Sequence, residues 1–480
     1  MLLFPLLKVL GQAPTLDWQR NIGGSADDFG LQVDQNAQGD LFISGTSYST
    51  SLGNPDIPGN NGEADIFISK LTAAGTTVWA KNFGGSLNDM PIAMTTTTDG
   101  GVILLCYVKS IDIDFNAPGV WLIKIDNAGN VGFKINYGGN PDTKGGLRQT
   151  VDGGYIFHST KNVDSNGLDS WVVKTNSLGT ITWQQTYGST GTEYAADILE
   201  YDSNYYLLGE SNSDNLNGQP NHGKYDLLFL KVNSVGTTQW TRLWGGPGND
   251  GGHKIVLDNF NSFPFTILGS NDSIGVDVNE NNGGTDIWVI YGDETDFPST
   301  NYSIGGSEND YPADIYFSEN RSTSIIVGET YSDSLTLGGT VPDTSNVLVQ
   351  ELSPSFGGFQ WETILGGTKN DSPSNIIETI DGGLLIAGHS YSNDINLTGN
   401  KGGADFWLLK LSYPCPDALI LGSSVFSKSI NRSANNSITT ISTFKGTSAK
   451  VKLKSTYIKM NVGFEVEAGT VFETEIGGCN

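Results

Sequence analysis

Residues 15–24 read TLDWQRNIGG, and residues 405–411 read DFWLLKL. The first stretch is a tryptophan-bearing strand followed by Gly-Gly. A unit that recurs along the chain ends in the same way, as in VWAKNFGG at 78–85. The second stretch has the form of the strand that precedes this ending. The chain therefore begins with the end of one unit, and its last unit lacks an end of its own.

The recurring unit is present seven times, judged from its glycine anchor. The first positions of successive anchors are 61, 54, 50, 57, 60 and 61 residues apart. A strand-rich period of roughly 40–60 residues is typical of the blades of a β-propeller. The anchors are Gly23-Gly24, Gly84-Gly85, Gly138-Gly139, Gly188-Ser189, Gly245-Gly246, Gly305-Gly306 and Gly366-Gly367.

Each unit contains four predicted strands in the same order. The turn between the first two is often Asp-Gly-Gly, as at 99–101, which is a hairpin signal. The third strand has the form Asp-x-aromatic-apolar-apolar-Lys, as in DSWVVK at 169–174. The chain has 62 glycines and only 16% charged residues, a composition that suits turns and strands better than helices.

A closed ring explains why one unit is split between the two ends. Closure removes the exposed strand edges that otherwise aggregate, whereas an open solenoid has no need of a split unit. We predict an all-β fold: a seven-bladed β-propeller with four-stranded blades at 14–413, closed by the N-terminal strand, and a small β module at 414–480. The prediction fails if the strand at Trp18 does not pair with the strand at 405–410.

The GGSxxD turn, the Asp-Gly-Gly hairpin and the DxWVVK strand resemble the seven-bladed propeller repeats of secreted Bacteroidetes proteins, and SBBP-type repeats more broadly. The resemblance covers about residues 15–411 and implies fold and secretion rather than an activity. The segment GFEVEAGTVFETEI at 463–476 resembles the small stacked-strand ("coathanger") module that follows such propellers. In that family a type IX secretion sorting domain often comes next, and none is evident here.

The ends of the chain and its cysteines bear on the compartment. Residues 1–13, MLLFPLLKVLGQA, resemble the end of a secretory signal peptide that lacks its basic region and is interrupted by Lys8. An ordered strand is the other interpretation; we expect a signal-peptide remnant and a secreted or cell-surface protein. A disulfide between Cys415 and Cys479 would staple the tail in an oxidising compartment, although spacing alone leaves this pairing open. Cys106, inside the apolar run VILLCYV, is expected to be buried.

The charge of the chain limits its partners. The formal net charge is -26, which repels nucleic acids and anionic membrane surfaces. No apolar run of 18 residues is present, so the sequence predicts no transmembrane helix. Cations, neutral glycans and basic proteins remain candidate partners.

An acidic residue precedes the first strand in six of the seven units. These positions share one face with the 2–3 loops, so a ring of carboxylates can surround the channel mouth, where Ca²⁺ or a cationic ligand is a candidate. We favour the structural alternative, in which each carboxylate accepts N–H bonds in its own turn, because function usually breaks symmetry. The six are Asp28, Asp89, Glu193, Asp250, Asp310 and Asp371; Thr143 stands in the third unit.

Two further patterns concern the third strand and the loop before it. Its Asp is replaced by Gly119 in one unit and its Lys by Tyr291 in another. The two are therefore lost independently, which indicates a separate structural role for each. The 2–3 loops vary in length and are rich in Asn and Asp, and three begin with Tyr48, Tyr331 and Tyr391. Aromatic faces beside such residues suit a neutral sugar; loops without a ligand are the alternative.

The leading hypothesis is a non-enzymatic scaffold that binds a protein or a glycan on this face, with the tail as a spacer or as the contact to a surface-complex partner. Enzyme signatures such as HExxH and GxSxG are absent from the sequence. The alternatives are a glycan-active enzyme that uses carboxylates at the propeller mouth, and a structural component of a surface assembly. A binding module requires an exposed aromatic or apolar patch, whereas an enzyme requires an asymmetric cluster in a pocket.

Overall fold

A computed structural model gives the fold of the chain. It describes the propeller region and separate strands of the tail. The described residues are 13–50, 59–139, 144–163, 167–258, 264–294, 299–319, 321, 323–332, 344–352, 358–414, 418–421, 425–426, 430–433, 437–440, 443–444, 450–455, 458–460, 465–466 and 471–476.

Seven antiparallel four-stranded sheets form the blades of a β-propeller, as the sequence predicts. Blade 1 contains β2 (Asp28–Gln35), β3 (Leu41–Ser47), β4 (Asp65–Leu71) and β5 (Thr77–Phe83). Blade 2 contains β6 (Asp89–Thr96), β7 (Val102–Val108), β8 (Gly119–Ile125) and β9 (Val131–Gly138). Blade 3 contains β10 (Gly146–Gln149), β11 (Tyr155–Asn162), β12 (Leu168–Thr175) and β13 (Ile181–Tyr187).

Blades 4 to 6 follow the same order. Blade 4 contains β14 (Glu193–Tyr201), β15 (Asn204–Ser211), β18 (Asp226–Asn233) and β19 (Thr238–Trp244), with a short hairpin of β16 (Asn215–Leu216) and β17 (Gln219–Pro220) in its 2–3 loop. Blade 5 contains β20 (Asp250–Leu257), β21 (Phe265–Asn271), β22 (Asp286–Gly292) and β23 (Thr300–Ile304). Blade 6 contains β24 (Asp310–Ser318), β25 (Thr323–Thr330), β26 (Asn346–Leu352) and β27 (Phe359–Leu365).

Blade 7 joins the two ends of the propeller. Its strands are β28 (Asp371–Glu378), β29 (Leu384–Ser390), β30 (Asp405–Ser412) and, outermost, β1 (Thr15–Ile22). Trp18 pairs with Lys410 and Ile22 with Phe406, so the predicted closure is confirmed. The outer strand of the last blade therefore comes from the start of the chain.

Removal of the closing strand should open the ring. A chain that starts at Gly23 loses the buried Ile22 and the whole ladder to β30. We expect it to lose at least about 3 kcal/mol of unfolding free energy and to self-associate through the bare edge. Denaturant unfolding and light scattering measure both effects, and a chain that starts at Ala13 is the control. A synthetic 13–24 peptide should restore part of the stability; equal stability of the two chains would contradict the closure.

The blades pack face to face, so their middle strands are buried on both sides. Every residue of β3 and β4 is buried, which explains the nearly continuous apolar runs in the sequence. Cys106 is fully buried in β7, and burial raises the pKa of its thiol. The recurrent tryptophan of the fourth strand packs on a turn glycine of the next blade. A β-carbon on Gly129, for example, would lie 3.1 Å from the Trp79 ring.

The lysine of the third strand has a partner that the sequence pattern did not reveal. In five blades the ammonium of this lysine forms an ion pair with an acidic residue. The pair lies on the face of the ring opposite to the face that holds the strand-three aspartate. The pairs are Lys70–Asp40 (2.8 Å), Lys124–Asp99 (2.9 Å), Lys174–Asp152 (2.8 Å), Lys231–Glu294 (2.6 Å) and Lys410–Asp381 (2.6 Å). Most of these carboxylates belong to the 1–2 turn, so the pair ties that turn to the blade.

The tail forms three parallel three-stranded sheets. Each sheet takes one strand from each of three successive passes of the chain, as in Ala418 opposite Ser437 and Ile438 opposite Ile458. The strands are β31 (Ala418–Leu421), β32 (Val425–Phe426), β33 (Ile430–Ser433), β34 (Ser437–Thr440), β35 (Thr443–Phe444), β36 (Lys450–Ser455), β37 (Ile458–Met460), β38 (Glu465–Val466) and β39 (Val471–Ile476). This pattern is that of a short three-sided coil of strands.

Candidate functional site

The strand registers place two sets of connections on one side of the ring. In blade 1, Asp28 lies opposite Ser47, Ser47 opposite Asp65, and Ile66 opposite Phe83. The 2–3 loops and the 4–1 turns therefore emerge from the same edge of each blade. We call this side the loop face.

The six acidic residues at the start of the first strands are buried beneath the loop face. Asp28 accepts hydrogen bonds from the Ser47 hydroxyl at 2.5 Å and the Ser49 hydroxyl at 2.9 Å. In all six, the carboxylate also accepts the N–H of the residue four positions earlier. These pairs are Gly24–Asp28, Gly85–Asp89, Ser189–Glu193, Gly246–Asp250, Gly306–Asp310 and Gly367–Asp371. The contacts are those of a turn cap, and a direct role in ligand binding stays a prediction.

At five junctions between blades, one of these buried acidic side chains lies near the strand-three aspartate of the preceding blade. At the junction of blades 5 and 6, a β-carbon on Gly305 would lie 2.1 Å from Asp286 Oδ1 and 2.8 Å from Asp310 Oδ2. Neither Asp286 Oδ1 nor Asp310 Oδ1 has a hydrogen-bond partner among the described residues. Burial, and then the charge of Asp310, raise the pKa of Asp286 to about 6. The pair therefore takes up a proton at a higher pH than free aspartate does.

The same arrangement recurs at other junctions. Burial is the main cause in every case, and the carboxylate across the junction adds to it. The pKa is raised to about 6 for Asp169, to about 7 for Asp250 and to about 6 for Asp405. Within the described ranges, no group of three or more His, Cys, Asp or Glu side chains is arranged to hold a metal ion. Calcium binding by these carboxylates stays a prediction, and a melting temperature unchanged by chelator would contradict it.

The three tyrosines at the loop starts lie on consecutive blades of the ring. Tyr331 belongs to blade 6, Tyr391 to blade 7 and Tyr48 to blade 1. Tyr48 and Tyr331 form part of a row of side chains across these blades, which we call the aromatic arc, and Tyr391 stands two residues beyond one of its members. The aromatic arc consists of Tyr48, Phe29, His389, Glu329, Tyr331 and Tyr311.

Contacts hold two parts of the aromatic arc in place, and the charge of Glu329 acts on His389 between them. The Phe29 ring meets the edges of Tyr48 and His389, with centroid distances of 6.2 and 4.9 Å. Burial lowers the pKa of His389, while the charge of Glu329 acts in the opposite direction. The Tyr331 hydroxyl donates to Glu329 Oε1 at 2.8 Å. Three blades thus contribute to one aromatic surface with a carboxylate at its centre.

The ends of the aromatic arc reach solvent. Tyr48 is 38% exposed and Tyr311 is 41% exposed, and the members between them are half-buried. Tyr311 meets Tyr331 edge to face at 6.3 Å. Rings held by such contacts lose little conformational freedom when a ligand stacks on them. The arrangement suits a flat, partly apolar ligand such as a sugar ring.

A cavity of about 200 Å³ occupies the central channel, and all seven blades line it. Most of its walls come from the innermost strands, where six blades have a register shift, and blade 3 adds Lys144 and Gly145 just before β10. The lining residues are Gln32, Ile92, Ala93, Lys144, Gly145, Gly146, Arg148, Ala196, Asp197, His253, Lys254, Ala313, Asp314, Ser374 and Asn375.

The charges in the channel are asymmetric. Blades 3 to 6 supply every charged lining residue, whereas blades 7, 1 and 2 supply neutral ones. Arg148 holds both oxygens of the buried Asp197 at 3.0 Å. Lys254 Nζ lies 3.7 Å from Asp197 Oδ2 and 3.8 Å from Asp314 Oδ1. Asp314 Oδ1 accepts no hydrogen bond from a described residue, and burial raises the pKa of this carboxyl.

Side chains of the lining also tie adjacent blades together. Gln32 Oε1 accepts the Met94 N–H at 2.5 Å, and Asn375 Oδ1 accepts the Val33 N–H at 2.9 Å. In the same way Asp314 Oδ2 accepts an N–H of the next blade. These residues occupy equivalent positions in different blades. They stabilise the ring and present their remaining polar atoms to the channel.

Sequence reasoning did not identify the channel residues. The residue type at each of these positions differs from one unit to the next, so the channel residues form no recurrent motif. A comparison of the fifth residue of each first strand would have shown the signal, because Gln32, Asp197, Lys254, Asp314 and Asn375 stand there.

Some predictions concern residues outside the described part of the chain. Cys415 and Cys479 lie there, as do residues 1–12 of the expected signal-peptide remnant. The disulfide and the processing of the N-terminus therefore stay predictions. In the part of the chain that the structure describes, no helix combines the length and apolar character needed to span a bilayer.

No protein-family model matches the chain, and no curated protein matches its sequence. Solved structures match at low identity. They include a protein of unknown function from Bacteroides caccae (11% identity, 71% of this chain and 94% of that one, TM-score 0.38). The Dos1 propeller matches at 10% identity over 82% of this chain and 95% of its own, with a TM-score of 0.44.

A third similar structure is a GH93 α-L-arabinofuranosidase of Fusarium graminearum in complex with arabinobiose. The identity is 10%, the match covers 66% of this chain and 91% of that one, and the TM-score is 0.41. At such identities a likeness concerns the fold alone. No activity or ligand of these proteins carries over to this chain.

Proposed function

We propose that the protein is a secreted or cell-surface, non-enzymatic scaffold that binds a glycan on its loop face. The observation that carries this proposal is the aromatic arc, which crosses blades 1, 7 and 6. The described residues at the equivalent positions of the other blades do not form such a row. Its rings are partly exposed and held in place by neighbours. Stacking of sugar rings on such aromatic side chains is a common basis of carbohydrate recognition.

Composition and polarity support a glycan over a basic protein partner. The rings of the aromatic arc alternate with Glu329 and His389, which offer hydrogen-bonding groups to hydroxyls. The surface is an arc rather than a wide apolar patch, whereas stable protein interfaces bury about 800 Å² on each partner. A protein partner that contacts the tail remains part of the proposal for surface attachment.

Binding should depend on the exposed ends of the aromatic arc. We expect Tyr48→Ala and Tyr311→Ala each to weaken binding of cello-, manno- or xylo-oligosaccharides by about 3- to 10-fold, since each removes one stacking face. Calorimetric titration against this panel is the measurement. Tyr194→Ala is the matched control, because Tyr194 packs on Tyr225 in blade 4, away from the arc. If no oligosaccharide binds, or all three variants bind alike, the proposal is wrong.

A glycan-active enzyme is the second candidate, and one observation favours it. Asp314 lies in the channel cavity with a raised pKa, as the general acid of a glycoside hydrolase requires. Its possible partner Asp197 is instead held by Arg148. Product analysis of the bound oligosaccharides distinguishes the two candidates: cleavage that is lost in Asp314→Asn would establish the enzyme, and intact recovery supports the scaffold.

A further inference from the structure

We propose that the channel cavity binds a sugar acid, a single ring with one carboxylate and several hydroxyls, as the terminal residue of a glycan that lies on the aromatic arc. This inference rests on the proposed function and names the ligand class of the same face. It is carried by the position of the cavity, by its cations and by its unpartnered polar atoms.

The aromatic arc leads into the channel along two strands. Phe29 of the aromatic arc and Gln32 of the channel lining are three residues apart on β2. Tyr311 and Asp314 have the same relation on β24. Three residues of strand span roughly 10 Å, about the length of two sugar rings. A chain stacked on the aromatic arc can therefore place its end inside the cavity.

The cavity is a local exception to the charge of the protein. It is lined by Lys144, Arg148 and Lys254 against two carboxylates, in a chain whose net charge is -26. Arg148 is engaged with Asp197, and Lys254 forms long ion pairs with Asp197 and Asp314, whereas Lys144 forms no ion pair with a described residue. Lys144 is exposed. The Lys144 ammonium is thus available to a carboxylate, and Lys254 can add a second charge-assisted hydrogen bond from its place between the two aspartates.

Two polar atoms in the cavity suit hydroxyl groups. Asp314 Oδ1 is buried without a donor among the described residues, and a sugar hydroxyl can supply one. Gln32 uses its Oε1 on Met94, and its Nε2 donates to no described residue. An acceptor and a donor therefore face the same space as the two ammonium groups. A simple carboxylate such as acetate leaves both of them unsatisfied.

The size of the cavity limits the ligand to one ring. Its volume of about 200 Å³ is below the roughly 300–1,000 Å³ of pockets for drug-sized molecules. The walls are narrow because all seven innermost strands contribute to them. Longer glycans can enter only by one end, which is why the remainder lies on the aromatic arc.

The test compares four small probes and three variants. Calorimetric titration of the full chain with D-glucuronate, D-galacturonate, D-glucose and acetate should show binding of at least one uronate at least tenfold tighter than glucose or acetate. Lys144→Met and Lys254→Met should each weaken uronate binding at least tenfold. Lys144→Met is the safer variant, because Lys144 is exposed and has no ion pair with a described residue. Lys81→Met, on the outermost strand of blade 1, removes the same charge away from the channel and should leave binding unchanged.

Each outcome bears on the inference separately from the proposed function. If neither uronate binds more tightly than glucose, or neither binds more tightly than acetate, the sugar acid is overturned. Uronate binding that survives both channel variants overturns the assignment to the cavity. If no uronate binds while the oligosaccharides still depend on Tyr48 and Tyr311, the inference fails and the scaffold stands. If neither class of ligand binds, both fail.

Discussion

Asp286→Asn should stabilise the protein at pH 7.5 by about 2 kcal/mol, because it removes a buried negative charge. Asp286 is fully buried beside Asp310, and its Oδ1 has no hydrogen-bond donor among the described residues. The carboxylate is therefore more costly in the folded chain than in the unfolded one. An amide has the same shape, carries no charge and can donate to Asp310.

The pH dependence follows from the raised pKa. Asp286 titrates at about 6 in the folded chain and near 3.8 when unfolded. The folded state holds more protons between these values, so the carboxyl becomes destabilising as the pH rises from 3.8 through about 6. The gain from Asp286→Asn should be largest above pH 7 and clearly smaller at pH 5. Denaturant unfolding of both chains at pH 7.5 and pH 5 measures the difference.

Two features of the chain provide controls for this prediction. Blade 6 already has Asn346 at the equivalent position, where its Oδ1 would lie 2.1 Å from a β-carbon on Gly366, so an amide fits such a junction. Asp112→Asn is the matched substitution at an exposed site. Hydrogen bonds from Ser86 lower the pKa of Asp112, so its replacement should not stabilise the chain at neutral pH. A gain from Asp286→Asn that is equal at both pH values would contradict the explanation.

Gly305→Ala should destabilise the protein by at least about 3 kcal/mol. The new methyl group would lie 2.1 Å from Asp286 Oδ1 and 2.8 Å from Asp310 Oδ2, closer than real atoms approach. Both carboxylates are buried and fixed by the N–H groups of their own turns. The strand or the carboxylates must therefore move. Thermal and denaturant unfolding measure the loss.

The rest of the chain supplies the comparison for Gly305→Ala. Gly132→Ala is the control, since its β-carbon would meet nothing nearer than 3.6 Å, and a change within about 1 kcal/mol is expected. The double variant Gly305→Ala with Asp286→Ala should recover part of the loss, because it removes the obstructing carboxylate. Blade 2 lacks the aspartate and therefore also lacks the obstruction. Gly119 stands at the aspartate position there, and a β-carbon on the anchor residue Gly138 would meet nothing within 4 Å. Additive effects of the two substitutions would contradict the steric explanation.

The fold could be predicted from the sequence because each blade repeats the same local rules. The Gly-Gly anchor, which the sequence uses as a marker, has a physical cause in Gly305 and its counterparts, where carboxylates occupy the space of a side chain. The split unit predicted closure, and the pairing of Trp18 with Lys410 confirms it. The recurrent contacts leave the same residues at the same places in several units, so one sequence contains several examples of each.

The candidate site was only partly predictable, because its contacts do not recur from blade to blade. Tyr48, Tyr331 and Tyr391 were identifiable from their shared loop position. Their continuity through Phe29 and His389 was not, since those contacts join blades that are far apart in sequence and adjacent only after closure. The same is true of the channel, where Lys254 lies between carboxylates of its two neighbouring blades.

The split blade also sets the order of events when the chain is synthesised. The outer strand of blade 7 precedes the other propeller strands in the chain, and its partner β30 is the last of them. Residues 15–22 must wait for nearly 400 others before they pair, so the contact of longest range is formed at the end. Until then both rims of the growing array expose unpaired backbone. A chaperone that binds an open strand edge would therefore find its site on this protein only during that interval, because ring closure pairs the edge.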